Sequence, residues 1–175
     1  MPYVCKVDNT GIESDSFKRS DSSINWIKNR DNFLVMDNEG NLLFKGLPKQ
    51  QQSEYGCKFS VQFYNANEPC KGKAVTLFTT KDSSKKVVCC SETGEICAET
   101  LDVPGEIGDG GHKALFFLKT VKGSSATFRV ESSVRRSHVL GFEADANNPY
   151  MKRLVLRLYN EREVDVDCHM QVLRC

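Results

Sequence analysis

Cys57-Lys58-Phe59-Ser60-Val61-Gln62-Phe63 alternates apolar and polar side chains without a break. Successive side chains of a strand point to opposite faces, so period two marks a strand with one buried face. Val164-Asp165-Val166-Asp167-Cys168-His169-Met170-Gln171-Val172 has the same pattern, and Leu154-Val155-Leu156-Arg157-Leu158 puts three leucines on one face. No stretch carries an i, i+3, i+4, i+7 apolar stripe of helical length. The chain is predicted to be all-β.

Outward from these runs, turn chemistry cuts the sequence at short intervals. Asn38-Glu39-Gly40-Asn41 divides Phe33–Asp37 from Leu42–Leu47, and Ser91-Glu92-Thr93-Gly94 divides Lys86–Ser91 from Glu95–Thr100. Lys122-Gly123-Ser124-Ser125 precedes Ala126–Ser132. These are hairpin signals. Segments 24–29, 57–64, 74–79, 114–119, 138–143, 152–159 and 164–173 bring the count to twelve predicted strands. Many evenly spaced short strands imply an antiparallel barrel or sandwich. Segments 48–56, 65–73 and 101–113 read as irregular. Residues 1–23, polar and rich in serine (Ser14, Ser16, Ser20, Ser22, Ser23), read as a flexible tail on a β-domain beginning near Ile24.

The 175 residues suit one domain, with 39% hydrophobic and 27% charged residues placing it in the globular class. A net charge of +1 argues against a strongly basic nucleic-acid binder. The longest apolar run, Ala114-Leu115-Phe116-Phe117-Leu118, is far short of the roughly 20 residues that cross a bilayer. Met1-Pro2-Tyr3-Val4-Cys5-Lys6 holds no apolar core of a secretory signal, and no Asn-x-Ser/Thr acceptor occurs. The expectation is a protein made in a reducing cytosol, with all eight cysteines (Cys5, Cys57, Cys70, Cys89, Cys90, Cys97, Cys168, Cys175) as free thiols, Cys57 and Cys168 behaving as small hydrophobes on the apolar phase of their strands, and those at the surface an extracellular liability of no structural role.

No constellation announces catalysis. The paired Cys-x₂₋₄-Cys signature of zinc is missing, and adjacent Cys89 and Cys90 must point to opposite faces of a strand. His112, His138 and His169 are not placed beside a nucleophile in any recognisable pattern. Gly105-Glu106-Ile107-Gly108-Asp109-Gly110-Gly111 lacks the lysine of a phosphate loop, and its acids repel phosphate. Basic pairs such as Lys18-Arg19, Lys71-Gly72-Lys73 and Arg135-Arg136 are scattered, suited to steering a protein partner. No catalytic residue, cofactor or metal is expected. Ile12-Glu13-Ser14-Asp15, followed by the small Ser16 in a polar stretch, has the form of a site for an aspartate-directed protease.

From Ile12 to the last strand, the chain resembles the interleukin-1 superfamily of cytokines. Ile12-Glu13-Ser14-Asp15 is similar to a Leu-Glu-Ser-Asp processing site, and Ile27-Lys28-Asn29, Leu34-Val35-Met36-Asp37, Gly40-Asn41 and Leu43-Phe44 follow at matching intervals. Gly72, Ala74-Val75-Thr76, Phe116-Phe117, Val121, Gly123, Glu131-Ser132-Ser133, Leu140, Leu154-Val155-Leu156 and Val172 continue the register. The resemblance implies a β-trefoil of about twelve antiparallel strands with a flexible N-terminal tail. It implies a non-enzymatic, monomeric ligand, held as a cytoplasmic leaderless precursor and cut by an inflammatory caspase between Asp15 and Ser16. The parts are then a propeptide, 1–15, and a mature domain, 16–175, which is secreted. The implied partners are a two-chain receptor with alpha and beta chains, through which interferon-gamma is induced, and a soluble binding protein. No nucleic-acid or membrane partner is implied. Carried over residue by residue, receptor contacts fall on Lys28, Asp31 and Leu47 for one face, and on Arg19, Lys71 and Lys119 for a second. On the third face Glu95 and Thr100 stand where lysines are expected, and Lys113 where an acid is. Alternatives are another trefoil cytokine or growth factor, a thiol hydrolase, or a carbohydrate-binding trefoil, for which the single Trp26 offers little stacking surface.

Overall fold

Thirteen strands account for the architecture in a computed structural model that describes residues 17–53, 55–65, 72–108, 111–121, 126–160 and 166–175. They are β1 (Phe17–Asn29), β2 (Asn32–Met36), β3 (Leu42–Gly46), β4 (Phe59–Asn65), β5 (Lys73–Lys81), β6 (Ser84–Cys90), β7 (Ile96–Thr100), β8 (Glu106–Ile107), β9 (Phe116–Thr120), β10 (Thr127–Ser132), β11 (His138–Asp145), β12 (Asn148–Leu158) and β13 (Met170–Arg174). Every pairing among them is antiparallel. Among the described residues no helix is long and apolar enough to cross a membrane.

Six strands close on themselves. β1 pairs with β4, β4 with β5, β5 with β9, β9 with β10, β10 with β13, and β13 returns to β1 through Ile27↔Val172. Closure leaves no edge in this ring. The hairpins β2–β3, β6–β7 and β11–β12 stand outside it, following β1, the pair β4–β5 and the pair β9–β10 along the chain. Six barrel strands and three hairpins make a β-trefoil, as expected.

Alternation explains the core. In β4, Phe59 and Val61 are wholly buried, as are Val75 in β5 and Phe116 in β9. The hairpins plug the barrel with Leu34, Phe44, Cys90, Phe142 and Leu154, and the Phe44 and Phe142 rings meet at 5.3 Å between centroids. Each such side chain contributes about 1.5–3 kcal/mol of burial. Smaller apolar clusters lie outside the barrel, one around Phe33, Val35, Leu43 and Cys57, another around Val87, Cys89, Val103 and Ala114.

Three expectations are corrected. The strand count is thirteen because the two-residue β8 forms within the segment read as irregular. β1 begins at Phe17, so residues 17–23 are not tail; residues 1–16 lie outside the described residues. Its first half is held mainly by main-chain pairing, Lys18↔Asn65, Arg19↔Tyr64 and Ser23↔Val61, and by Lys18↔Glu106 of β8. A bulge between Arg19 and Ser22 breaks the period, and the Gln62 amide donates to the Ser20 and Asp21 carbonyls at 3.1 and 3.2 Å. A polar strand of this kind leaves no hydrophobic signature. Third, Val164–Val172 is not one strand: Val166–Cys168 forms a 3₁₀ turn and pairing starts at Met170. The turn packs onto β11 at Gly141, where a Cβ would stand 3.0 Å from Cys168 Sγ and 3.3 Å from the Asp167 carbonyl oxygen. Cys168 is still buried, as its apolar phase implied.

Two glycines with the same backbone angle separate conformational strain from crowding. Gly40 and Gly72 both have φ +86°, but a Cβ at Gly40 meets nothing within 4 Å, whereas one at Gly72 would stand 2.5 Å from the Leu118 carbonyl oxygen. Gly40→Ala is expected to cost about 1 kcal/mol and Gly72→Ala about 3 kcal/mol or more. Urea denaturation of the two variants checks the difference, which vanishes if the β5–β9 contact is looser than described.

Candidate functional site

The outer side of the β1–β2 hairpin carries a mixed aromatic and charged patch. In β1 the buried phase is Asn25, Ile27 and Asn29, so Ile24, Trp26 and Lys28 face outward. The inward asparagines are partnered: Asn29 Nδ2 donates to the His169 carbonyl at 2.7 Å, and Asn25 Nδ2 to Ser23 Oγ at 2.8 Å. Trp26 meets Phe33 edge-on, with centroids 6.4 Å apart and planes at 81°. Lys28 Nζ stands 4.7 Å over the same Phe33 ring, and Lys28 and Phe33 are direct cross-strand partners. The turn between them, Arg30-Asp31, exposes the Asp31 carboxylate, with Arg30 at φ +53°.

Segment 47–57 frames the patch. Trp26 Nε1 donates to the Gln52 carbonyl at 2.9 Å, Gln52 Nε2 donates to the Leu47 carbonyl at 3.2 Å, and the Cys57 thiol donates to the Gln52 carbonyl at 3.1 Å. Half-buried Leu47 and Met151 pack against the Phe33, Val35 and Leu43 cluster. Of the residues that the resemblance gave to one face, Lys28 and Leu47 both border the Phe33 cluster, and Asp31 is exposed in the turn after Lys28. Trp26 and Phe33 organise the patch and were missed as site residues. The signal was the outward phase of Trp26-Ile27-Lys28, whose odd member is Ile27.

Of the second trio, Arg19 and Lys119 are described. Arg19 donates its backbone N–H to the Gly105 carbonyl at 2.9 Å and its guanidinium to the Val103 carbonyl, tying segment 103–105 to β1. Tyr64 adds a 2.7 Å bond from its hydroxyl to the Pro104 carbonyl. Lys119 Nζ sits 2.8 Å from Glu131 Oε2, which Arg136 also reaches at 3.0 Å. Arg19 and Lys119 are thus engaged within the chain. Lys71 and the Asp15-Ser16 processing site lie outside the described residues.

The third face is built around β6–β7. Lys113 Nζ pairs with Glu99 Oε1 at 2.8 Å, Lys86 Nζ donates to the Thr100 hydroxyl, and the Glu95 backbone N–H donates to Ser91 Oγ at 3.0 Å. A groove of about 750 Å³ opens beside it, lined by Leu42, Ile96, Leu154, Leu156, Glu95 and the paired Glu143 and Arg153.

Three thiols are held toward the protonated form. Burial, then the Glu99 carboxylate, pushes Cys89 up to about 12, and burial also raises Cys97 and Cys175. Burial and the neighbouring Lys113 charge depress His112, whose Nδ1 accepts the Ala114 N–H at 3.0 Å. Among the described residues no cluster of three or more histidine, cysteine, aspartate or glutamate side chains could hold a metal.

No family model matches the chain. Over 133 residues it is 26% identical to interleukin-18 of Canis lupus familiaris, covering 74% of this chain and 67% of that protein. Over 162 residues it is 24% identical to interleukin-18 of Homo sapiens, covering 91% and 81%. Among solved structures, chicken interleukin-1 beta aligns with a TM-score of 0.65 at 13% identity, over 90% of this chain and 99% of that one. The trefoil also aligns with SeviL bound to an asialo-GM1 saccharide, at a TM-score of 0.54, 10% identity, and 87% and 98% coverage. The structural likenesses establish the fold, and the sequence likeness supplies the interleukin-18 direction. The relatives are cytokines, signalling ligands without catalysis.

Glu131 permits a test of the second face. Burial raises its carboxyl, but the Lys119 ammonium, the Ser137 N–H and Arg136 together hold it below the ordinary carboxylate value. A depressed carboxyl stabilises the fold above its unfolded value, and the contribution is lost as pH falls through the folded value. Lys119→Met is expected to cost about 1–2 kcal/mol at pH 7, less than a fully buried pair because Lys119 is partly exposed and Arg136 remains. Urea midpoints between pH 3 and 7 should show a shallower acid loss in the variant than in the parent.

Proposed function

We propose that this chain, an interleukin-18-like cytokine of the interleukin-1 family, is a pro-inflammatory ligand that engages the interleukin-18 receptor alpha chain first through the Trp26, Lys28, Asp31, Phe33 and Leu47 patch. The observation that carries the proposal is that Lys28 and Leu47 both border the cluster containing Phe33 and Trp26, with Asp31 exposed in the turn that follows Lys28. Aromatic side chains with a fixed cation suit the centre of an interface, where a few residues supply most of the affinity. Arg19, Lys71 and Lys119 are assigned to a second receptor face. There Arg19 and Lys119 act through their own intramolecular contacts as well as through charge. The beta chain is assigned to the β6–β7 face, where Glu95, Thr100 and Lys113 call for a partner of exchanged charge.

Activation is assigned to an inflammatory caspase cutting between Asp15 and Ser16. The precursor is held in the cytoplasm and released by a leaderless route, and the released 16–175 induces interferon-gamma through the two-chain receptor. Residues 1–15 carry a net charge of −2 and the remainder +3. An acidic tail opposite Arg19 and Lys28 favours masking, although exposed pairs contribute only about 0–1 kcal/mol each, so steric cover carries more of the effect. Interleukin-18-binding protein is assigned to the same surface as a competitor.

Lys28→Glu and Leu47→Ser are each expected to weaken alpha-chain binding about 10- to 100-fold, with Lys85→Glu on another strand unchanged, measured by surface plasmon resonance. Asp15→Ala should block both the new N-terminus at Ser16 and receptor activation on caspase treatment. Equal binding by all three surface variants sinks the patch assignment. An uncut precursor as active as the cut form sinks the switch.

A further inference from the structure

The β6–β7 hairpin places two thiols opposite one another. Cys89 of β6 and Cys97 of β7 are direct cross-strand partners, flanked by Val88↔Ala98 and Cys90↔Ile96. Direct partners project from the same face of the sheet. Cys90 projects from the other face, into the barrel core, whereas Cys89 belongs to the outer cluster with Val87, Val103 and Ala114. The register therefore selects Cys89 over its neighbour. Cys89 is wholly buried, Cys97 is exposed, and both are free thiols.

Both sulfurs also converge on one carboxylate. Cys97 Sγ lies 4.0 Å from Glu99 Oε2, and the Cys89 thiol hydrogen-bonds the same side chain, whose Oε1 is held by Lys113 at 2.8 Å. Opposed antiparallel residues have Cα separations of about 4.5–5.5 Å, within the roughly 4.4–6.8 Å that a disulfide spans. We propose that Cys89 and Cys97 form a reversible cross-strand disulfide when the protein meets a disulfide oxidant of the glutathione class.

The chemistry balances with glutathione disulfide as the oxidant. The exposed Cys97 thiolate attacks one glutathione sulfur, breaking the glutathione S–S bond and releasing one glutathione thiol. The Cys89 thiolate then attacks the Cys97 sulfur of the mixed disulfide and expels the second glutathione thiol. The protein loses two electrons, the glutathione pair gains them, and the two protein thiol protons end on the two glutathiones.

The bond is expected to be labile. Ser91 N donates to Glu95 O at 2.8 Å, and two residues further along, Cys89–Cys97 occupies the same hydrogen-bonded type of site. Side chains there stand about 5.5 Å apart at Cβ, against roughly 3.5–4.5 Å in a relaxed disulfide, so the strands must draw together. Such a bond reopens readily under a dithiol reductant. Three charged groups face the pair, Glu99 and Glu95 from β7 and its turn and Lys113 from the segment above; the Cys90 thiol also acts on Cys97, and His112 stands beside Glu99. Burial first and the Glu99 carboxylate second keep both thiols protonated, and Lys113 opposes them, which makes Glu99 the charged restraint on oxidation.

The test uses the full chain with glutathione disulfide at about pH 8.5, followed by alkylation of the remaining thiols, proteolysis and mass spectrometry. The expected result is a monomer with Cys89 joined to Cys97. Cys90→Ala should keep the link and Cys97→Ser, an exposed and structurally mild change, should abolish it. Glu99→Gln should form the link several-fold faster, and an unchanged or slower rate overturns the role given to that carboxylate. A persistent glutathione adduct on Cys97 with Cys89 still alkylatable, a Cys97–Cys97 dimer, or a Cys90–Cys97 link overturns the proposal. None of these readouts depends on which receptor the protein binds.

Discussion

Everything in this molecule hangs on the return of β13 to β1. Ile27↔Val172 and its neighbouring pairs join the last strand to the first, and only then does the six-strand ring have no free edge. Before that pairing forms, β1 and β13 are two strands separated by most of the chain. After it, Phe59, Val75, Phe116 and Met170 share one dry interior. Long-range pairing of this kind costs loop-closure entropy before it brings any burial, so the barrel core and its closure form as one cooperative unit.

The Trp26–Lys28 patch inherits its geometry from that closure. β1 must present Ile27 inward, with Asn25 and Asn29 in the same phase, and this leaves Trp26 and Lys28 on the outer surface. The Asn29 side chain reaches the His169 carbonyl beside β13, so the hairpin that carries Asp31 is tied to the closing strand. Segment 47–57 then anchors the Trp26 indole through the Gln52 carbonyl, which also accepts from Cys57. Side chains placed on strands and pinned in this way have little freedom left to lose on any contact.

Charge plays two separate parts. Lys28 sits over an aromatic face, and Asp31 stands in solvent, both available to a partner. Arg19 and Lys119, equally basic in sequence, are engaged internally, one with the Val103 carbonyl and the other with buried Glu131. Glu131 can be buried because Lys119, Arg136 and the Ser137 N–H surround it, a network that joins β9 and β10 to the turn before β11. The cysteines divide in the same way. Cys90 is core, while its neighbour Cys89 is directed by strand alternation toward Cys97.

Alternation and turn chemistry determined most strands of the barrel wall and the hairpins: the Cys57–Phe63 alternation marks β4, which starts at Phe59 because Cys57 closes a 3₁₀ turn, and Asn38–Asn41 reads as the β2–β3 turn, because both signals are local. The resemblance supplied the trefoil and the choice of Lys28, Asp31 and Leu47. Three things were decided only in three dimensions. β1 extends back to Phe17 because the β4 main chain and the Gln62 amide hold a strand with little apolar pattern of its own. The Val164–Val172 alternation is broken by a turn because Gly141, distant in sequence, leaves room for Cys168. Which lysines and arginines are free and which are spent depends on Glu131 and the Val103 carbonyl. A basic residue looks the same in sequence whether its partner is a receptor or its own barrel, since only the fold brings that partner within reach.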